Sequence, residues 1–396
     1  MRKAFMGPLA VLGCVVAVSS WVYGQPPPPV RSPRPVITPR PIPSGDPGPI
    51  RIGVINSLTG PYTAYADPVR DGLLLAQEQI NAKGGIRGRK VELVVEDDYG
   101  DAQRAAAAFE KLAAAKVPVV IGPITAAGSK AVAPLANRSR IVMLSPIAHS
   151  PELTRAGRYV FLVVPTTDVQ AREKSRLVIG KFQPKRVAML NDANPLANVA
   201  VEVWKKRLSA AGAEVVAEES FKEGDKDFKD RLTKIRDAKP DIVVYPAYYD
   251  EETVAIVKQA RELGIRAPLV GSGSACLAAL DKIGPLVLPE LYFVDEAFGP
   301  AISRDVAPMQ TFMTDYSQKF NRKAGLESAA AHAALNMVKT AMETGGFTAA
   351  ATQRGLRGKA FQTALGQVKY GETGANVSAR FALFNMTGQG ELAVVR

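Results

Sequence analysis

From residue 50 onward, apolar positions follow two alternating rhythms. Short apolar runs such as IRIGVI (50–55), VELVVEDD (91–98), VPVVIGP (117–123) and IVMLSP (141–146) read as buried strands. Between them, ADPVRDGLLLAQEQINA (66–82), DAQRAAAAFEKLAAA (101–115) and SKAVAPLANRS (129–139) carry apolar residues at helical spacing. Gly or Pro marks each junction. Strands that alternate with helices predict βαβ units and a parallel sheet covered on both faces.

The alternation pauses at YVFLVVPTTD (159–168) and resumes with RVAMLND (186–192), NVAVEVWKKRLSAAG (198–212), AEVVAEESF (213–221), KDFKDRLTKIRDA (226–238) and DIVVYPAYY (241–249). EETVAIVKQARELG (251–264) and PLVGSG (268–273) complete this second series. Two series of similar size predict two similar α/β lobes, each Rossmann-like. A third section brings one strand (LYFVDEAF, 291–298), several helices and closing strands in VSARFALF (377–384) and ELAVVR (391–396). It is too little for a third domain and should complete the other two. The expected division is 50–168 and 295–388 for the first lobe, and 169–294 and 389–396 for the second. Repeated crossings between them would make a hinge.

Residues 1–49 have a different texture. MRKAFMGPLAVLGCVVAVSSWVYGQ has a basic start and an apolar stretch, which reads as an export signal ending near residue 24. An uncleaved membrane anchor, or lipid attachment at Cys14, are the other readings. Residues 25–49 are proline-rich and should form an extended tether. The formal charge of +12 includes Arg2, Lys3, Arg31, Arg34 and Arg40 from this region. The rest is spread among interleaved acids, without the dense basic patch that nucleic acid would need. Once a signal is removed, Cys276 is the one cysteine left, and no internal disulfide can form. No base pairs with it locally, so a small buried residue is the expected role.

In open α/β sheets, ligands bind beyond the carboxyl ends of the strands. The loops there are NSLTGPYTAYA, GPITAAGS, SPIAHSPELT, PTTD, PAYYDEE and GSGSAC, rich in hydroxyls, glycine and tyrosine but poor in paired catalytic groups. GPITAAGSK is not a phosphate-binding P-loop, because five residues separate Gly122 from Gly128 and Ser129 precedes Lys130. GGIRG (84–88) follows a helix and reads as a helix stop. Asp97 and Asp98 suit a surface or capping role better than a metal site. The two histidines, His149 in a candidate cleft loop and His332 in a helical stretch, lie too far apart for a metal motif. His149 is open to two readings, a ligand contact or a solvated loop residue, whereas His332 is expected to pack or hydrogen-bond within its helix. No nucleophile–histidine–acid signature is present. The chain is therefore expected to be no enzyme and to need no cofactor or metal.

Taken in order, these loops resemble those of type I periplasmic solute-binding proteins, specifically the branched-chain amino acid receptor group of ABC importers. The matching stretches include INAKGGIRGRKVEL (80–93), VVIGPITAAGSKAVAP (119–134), IVMLSPIAHSPELT (141–154) and VKQARELGIRAPLVGSG (257–273). The resemblance implies two lobes joined by three strands and closing on a small-molecule ligand. A ligand carboxylate would be held by the loops at Thr125, Ala126 and Ala127, and at Ala148, His149 and Ser150. Tyr65 would pack over it. Leu196, Tyr248, Tyr249, Ser272 and Gly273 would contact it from the second lobe. The implied partner is an ABC permease of the inner membrane, and the implied location is periplasmic, with the chain acting as a monomer.

The departures from that pattern carry information. Amino-acid binders of the group place a serine at Ala126, an acid at Gly273 that pairs with the ligand ammonium, a tyrosine at Leu196 and a threonine at His149. Paired cysteines of some members are Tyr99 and Thr125 here. A buried ammonium without a counter-charge is costly. Either Asp168, Asp250 or Asp295 substitutes for the acid, or the ligand has no α-ammonium and is a small carboxylate or amide-like solute. A ligand-sensing subunit that reports occupancy to a regulatory partner is the alternative function on the same fold.

Overall fold

The computed structural model describes residues 48–222, 224–245, 250–272, 290–303, 306–386 and 392–395. Tyr248, Tyr249, Gly273, both cysteines and the N-terminal signal and tether segments lie outside these residues. The first sheet is five-stranded and parallel, in the order β2-β1-β3-β4-β5. Its strands are β1 (Ile50–Asn56), β2 (Val91–Asp97), β3 (Val119–Ile121), β4 (Val142–Ser145) and β5 (Val160–Leu162). Helices α1 (Thr63–Ala82), α2 (Ala102–Ala114) and α3 (Ala126–Ser139) connect the first four.

Side chains on a strand alternate between faces, so β1 divides its core residues. Ile50, Ile52 and Val54 pack with Ala66, Leu73 and residues of a long C-terminal helix. Ile55 packs on the other face with Phe109, Leu112 and Val132 of α2 and α3. Both faces are therefore covered, as a parallel sheet requires.

The second sheet runs β14-β13-β10-β9-β8-β6-β7. It contains β6 (Arg186–Asp192), β7 (Glu214–Phe221), β8 (Ile242–Tyr245), β9 (Leu269–Gly271) and β10 (Leu291–Glu296), all parallel. Helices α4 (Thr167–Phe182), α5 (Pro195–Ala210), α6 (Lys229–Asp237) and α7 (Asp250–Glu262) belong to this half. The expected parallel sheet is present, with two antiparallel strands added at one edge. Strands β13 (Phe381–Met386) and β14 (Leu392–Val394) join antiparallel at the edge. Only five residues separate β13 from β14, too few for the crossover that a parallel pair needs. The pairing of β10 and β13 also puts residues 295–296 and 381–386 in the second sheet, whereas the sequence division assigned 295–388 to the first lobe.

The C-terminal section returns α8 (Ala307–Phe320), α9 (Leu326–Gly345) and α10 (Ala349–Leu356) to the first half, followed by a hairpin of β11 (Ala360–Thr363) and β12 (Gly366–Lys369). The sequence pattern gives no sign of this hairpin. Helix α9 is alanine-rich and packs directly against α1. At the contact a Cβ on Gly72 would lie 2.1 Å from the Ser328 carbonyl oxygen, so glycine sets the helix separation.

Among the described residues the chain passes between the halves at three places: β5 to α4, β10 to α8, and β12 to β13. Neighbouring crossings are tied together. Ala297 donates its N–H to the Arg380 carbonyl at 2.7 Å, and Asn376 Nδ2 donates to the Val163 carbonyl at 2.8 Å.

Candidate functional site

The carboxyl ends of β3 and β4 build one wall of the cleft. Gly122 has φ of +107°, and a Cβ there would sit 2.0 Å from the Ile55 carbonyl oxygen, so only glycine fits. Two buried hydroxyls fix the turn that follows. Ser145 Oγ and Ser129 Oγ donate to the Pro123 carbonyl at 2.6 and 3.0 Å. Thr125 then caps α3, its Oγ1 accepting from the Gly128 N–H at 3.1 Å. The first-turn N–H groups of Ala126 and Ala127 have no helical acceptor, and the helix field at this end favours an anion. Small side chains at both positions leave those groups uncovered.

The β4 loop lies alongside. Ala148 is buried, and its N–H donates to Ser145 Oγ at 3.3 Å, so this group is engaged within the loop. Ser150 is 1% exposed, and its hydroxyl has no hydrogen-bond partner among the described residues. His149 is half-buried and well held, which sets aside the solvated-loop reading. Its carbonyl accepts from the Thr167 N–H at 2.8 Å, and Gln170 Nε2 lies 2.6 Å from its Nδ1. Gln170 Nε2 also reaches the Pro165 carbonyl at 3.1 Å, so one amide group donates to both. His149 Nδ1 itself lies 3.2 Å from the Pro165 carbonyl, so Gln170 and this carbonyl both hold the ring at Nδ1. Burial holds the histidine pKa below its ordinary value, which keeps the ring neutral. Tyr65 stands half-exposed on the first turn of α1, against the first-half core.

Of the three acids expected as counter-charges, Asp250 begins α7, and Asp168 and Asp295 are engaged. Asp168 accepts from Thr166 Oγ1 at 2.6 Å and pairs with Arg172 at 2.8 Å. Burial alone would raise its pKa, but these bonds hold it below the ordinary carboxylate value. Asp295 pairs with Lys174 at 3.1 Å and accepts the Glu296 N–H at 2.9 Å. Leu196 lies in the first turn of α5, which Asn194 caps by accepting the Ala197 N–H. Ser272, at the end of β9, accepts from Lys174 Nζ at 3.5 Å.

Lys174 and Asn191 escaped the sequence reading. Lys174 is 6% exposed on α4, in the buried stripe with Ala171, Ser175 and Val178. A lysine on that stripe was a legible signal. Asn191 is 4% exposed near the end of β6, and its Oδ1 has no partner among the described residues. Both line a pocket of the second half, open to solvent on one side, whose rim includes Thr167, Gln170 and Ser272. Gln170 links this pocket to His149 of the opposite wall.

Other candidate groups have structural roles. Asp97 accepts from Thr59 and Tyr99, Asp98 from Ser57 Oγ at 2.7 Å, and Asp101 caps α2. His332 is packed at 4.8 Å from the Phe312 ring and lies 2.9 Å from Gln79 Oε1. No cluster of metal-ligating side chains occurs among the described residues.

The sequence profile of the periplasmic binding protein family matches residues 49–391. The Leu/Ile/Val-binding protein BraC3 of Rhizobium johnstonii is 31% identical over 347 residues, covering 85% of this chain and 91% of the relative. The Leu/Ile/Val-binding protein homolog 3 of Brucella melitensis is 28% identical over 342 residues, covering 85% and 90%. Among solved structures, the branched-chain amino acid transporter substrate-binding protein LivJ of Streptococcus pneumoniae, in complex with isoleucine, superposes with a TM-score of 0.75. It is 27% identical and covers 88% of this chain and 99% of its own. With its two α/β halves, triple crossing and hydroxyl-lined strand ends, the chain belongs to the periplasmic binding protein family, in the branched-chain amino acid receptor group of ABC importers.

Proposed function

We propose that the protein is the extracytoplasmic solute-binding component of an ABC importer, and that it closes its two halves on a small carboxylate-bearing solute. The observation that carries the anion site is the pairing of the bare α3 N-terminus with the buried, unpartnered Ser150 hydroxyl at the adjacent strand end. Hydrogen bonds from such donors to a carboxylate are short and strong. Closure would exclude water and strengthen them, and the closed state is what a permease in the inner membrane would read. Tyr65, Thr125, Ala126, Ala127 and Ser150 form the carboxylate side of this reading, with His149 beside them.

The relatives are named for leucine, isoleucine and valine binding. The reading for this chain departs from them in the α-ammonium. Glycine occupies position 273, where the amino-acid binders place an acid, and Asp168 and Asp295 already pair with Arg172 and Lys174. Residues 1–24 would export the chain and residues 25–49 would space it from the membrane, with the chain acting as a monomer. Calorimetric titration with leucine, isoleucine and valine, against benzoate and pentanoate, tests the ligand class. Micromolar binding of a simple carboxylate with none of the three amino acids is expected. Micromolar binding of any of the amino acids would overturn it.

A further inference from the structure

The pocket of the second half lies beside the proposed anion wall and is not needed to hold a carboxylate. Its free volume is about 20 Å³, room for one water-sized group. Its floor is apolar, formed by Met189, Val201 and Trp204. Polar groups line it as well, Asn191, Lys174 and Ser272 among them. Lys174 and Asp295 neutralise one another at 3.1 Å, so a second full charge entering here would be desolvated without a counter-ion. Asn191 Oδ1 is buried and has no partner among the described residues, a costly condition unless something supplies a proton. Amide oxygen and nitrogen can exchange places by a flip of the side chain, so the missing partner is one that can both donate and accept.

We infer that this pocket is a distal subsite for a neutral hydroxyl group on the solute, hydrogen-bonded by Asn191 in a space walled by Met189, Val201 and Trp204. A hydroxyl satisfies either orientation of the asparagine amide and brings no charge to the Lys174–Asp295 pair. Gln170 joins the two ends of the site, since it lines the pocket and bonds His149 of the anion wall. A solute spanning them has a carboxylate at one end, an apolar middle and a hydroxyl at the other. The inference rests on the carboxylate reading above.

Calorimetric titration of matched pairs separates the two. The probes are benzoate against 4-hydroxybenzoate, and pentanoate against 5-hydroxypentanoate. At least tenfold tighter binding of the hydroxylated member of one pair is expected. In Asn191→Leu that ratio should fall to about one. Ala200→Leu, which fills the pocket from α5 and removes no polar group, should abolish the preference too, and it guards against a folding defect in the first variant. Carboxylates that bind without preference in both pairs overturn the subsite and leave the carboxylate reading standing. A preference that survives both substitutions also overturns the subsite. Failure of every carboxylate to bind overturns both. Tighter binding of the matched dicarboxylates, terephthalate or glutarate, than of the hydroxylated members overturns the neutral-group assignment.

Discussion

At the scale of single residues, Thr125 has two jobs with separable consequences. Its Oγ1 accepts the Gly128 N–H and starts α3, while the same turn presents the Ala126 and Ala127 N–H groups to the cleft. Thr125→Ala should cost about 1 kcal/mol of stability, the usual loss for a helix cap. It should also weaken carboxylate binding, because the first turn loses its anchor. Thr125→Ser keeps the capping oxygen and should restore both. Chemical denaturation and calorimetry read the two effects. A Thr125→Ser variant as defective as Thr125→Ala would show that the threonine methyl, and not the cap, matters.

Local chemistry was the part of the site legible in the sequence. Thr125 stands after a strand and a Gly-Pro turn, and its N-capping geometry follows from that order. Asp97 and Asp98 were expected in surface or capping roles, but Asp98 is buried and braces the loop by accepting from Ser57 and Gly100. Asn191 was not legible, because a polar residue at a strand end is ordinary until its neighbours are known. Its missing partner is a property of packing against α4 and α5.

Among the elements, the contact between α1 and α9 sets local and tertiary preferences against each other. Alanine is favoured over glycine inside a helix by about 1 kcal/mol, so propensity alone says that Gly72→Ala stabilises. The Ser328 carbonyl would lie 2.1 Å from the new Cβ, so packing says the opposite. Overpacking a close contact costs about 1–3 kcal/mol, and it should win. The expected result is a lower urea midpoint for Gly72→Ala with an unchanged slope. A raised midpoint would mean that the helices separate at little cost. The alanine run of α9 was readable as a helix, but its near approach to α1 was not, since the partner lies about 250 residues earlier in the chain.

For the whole molecule, the crossings concentrate buried charge. Glu296 ends β10 at the second crossing, 7% exposed, with Asp295, Lys174 and Glu327 acting on it electrostatically and Arg380 lining the same small cavity. Burial, then repulsion from Asp295, pushes its pKa up to about 8. The folded state therefore holds this proton more tightly than the unfolded chain does. Its contribution to stability is complete below the ordinary glutamate range and is lost as the pH rises through about 8, by up to about 1.4 kcal/mol for each pH unit crossed. Glu296→Gln cannot ionise, so it should flatten the fall in melting temperature between about pH 5 and 8. Parallel pH profiles for the variant and the parent chain would show that Glu296 ionises without penalty.

The sequence by itself determined the strand–helix alternation, the two-part division, the glycine-dependent turn at Gly122 and the hydroxyl-rich loops at the strand ends. These depend on periodicity and turn chemistry over a few residues. Only the tertiary structure decided that β13 and β14 close the second sheet in the antiparallel sense, that Asp168 and Asp295 are already paired, and that Lys174, Asn191 and Ser272 meet at one pocket. Those three side chains come from a helix and two strand ends, and sheet order brings them together. No local rhythm encodes that order.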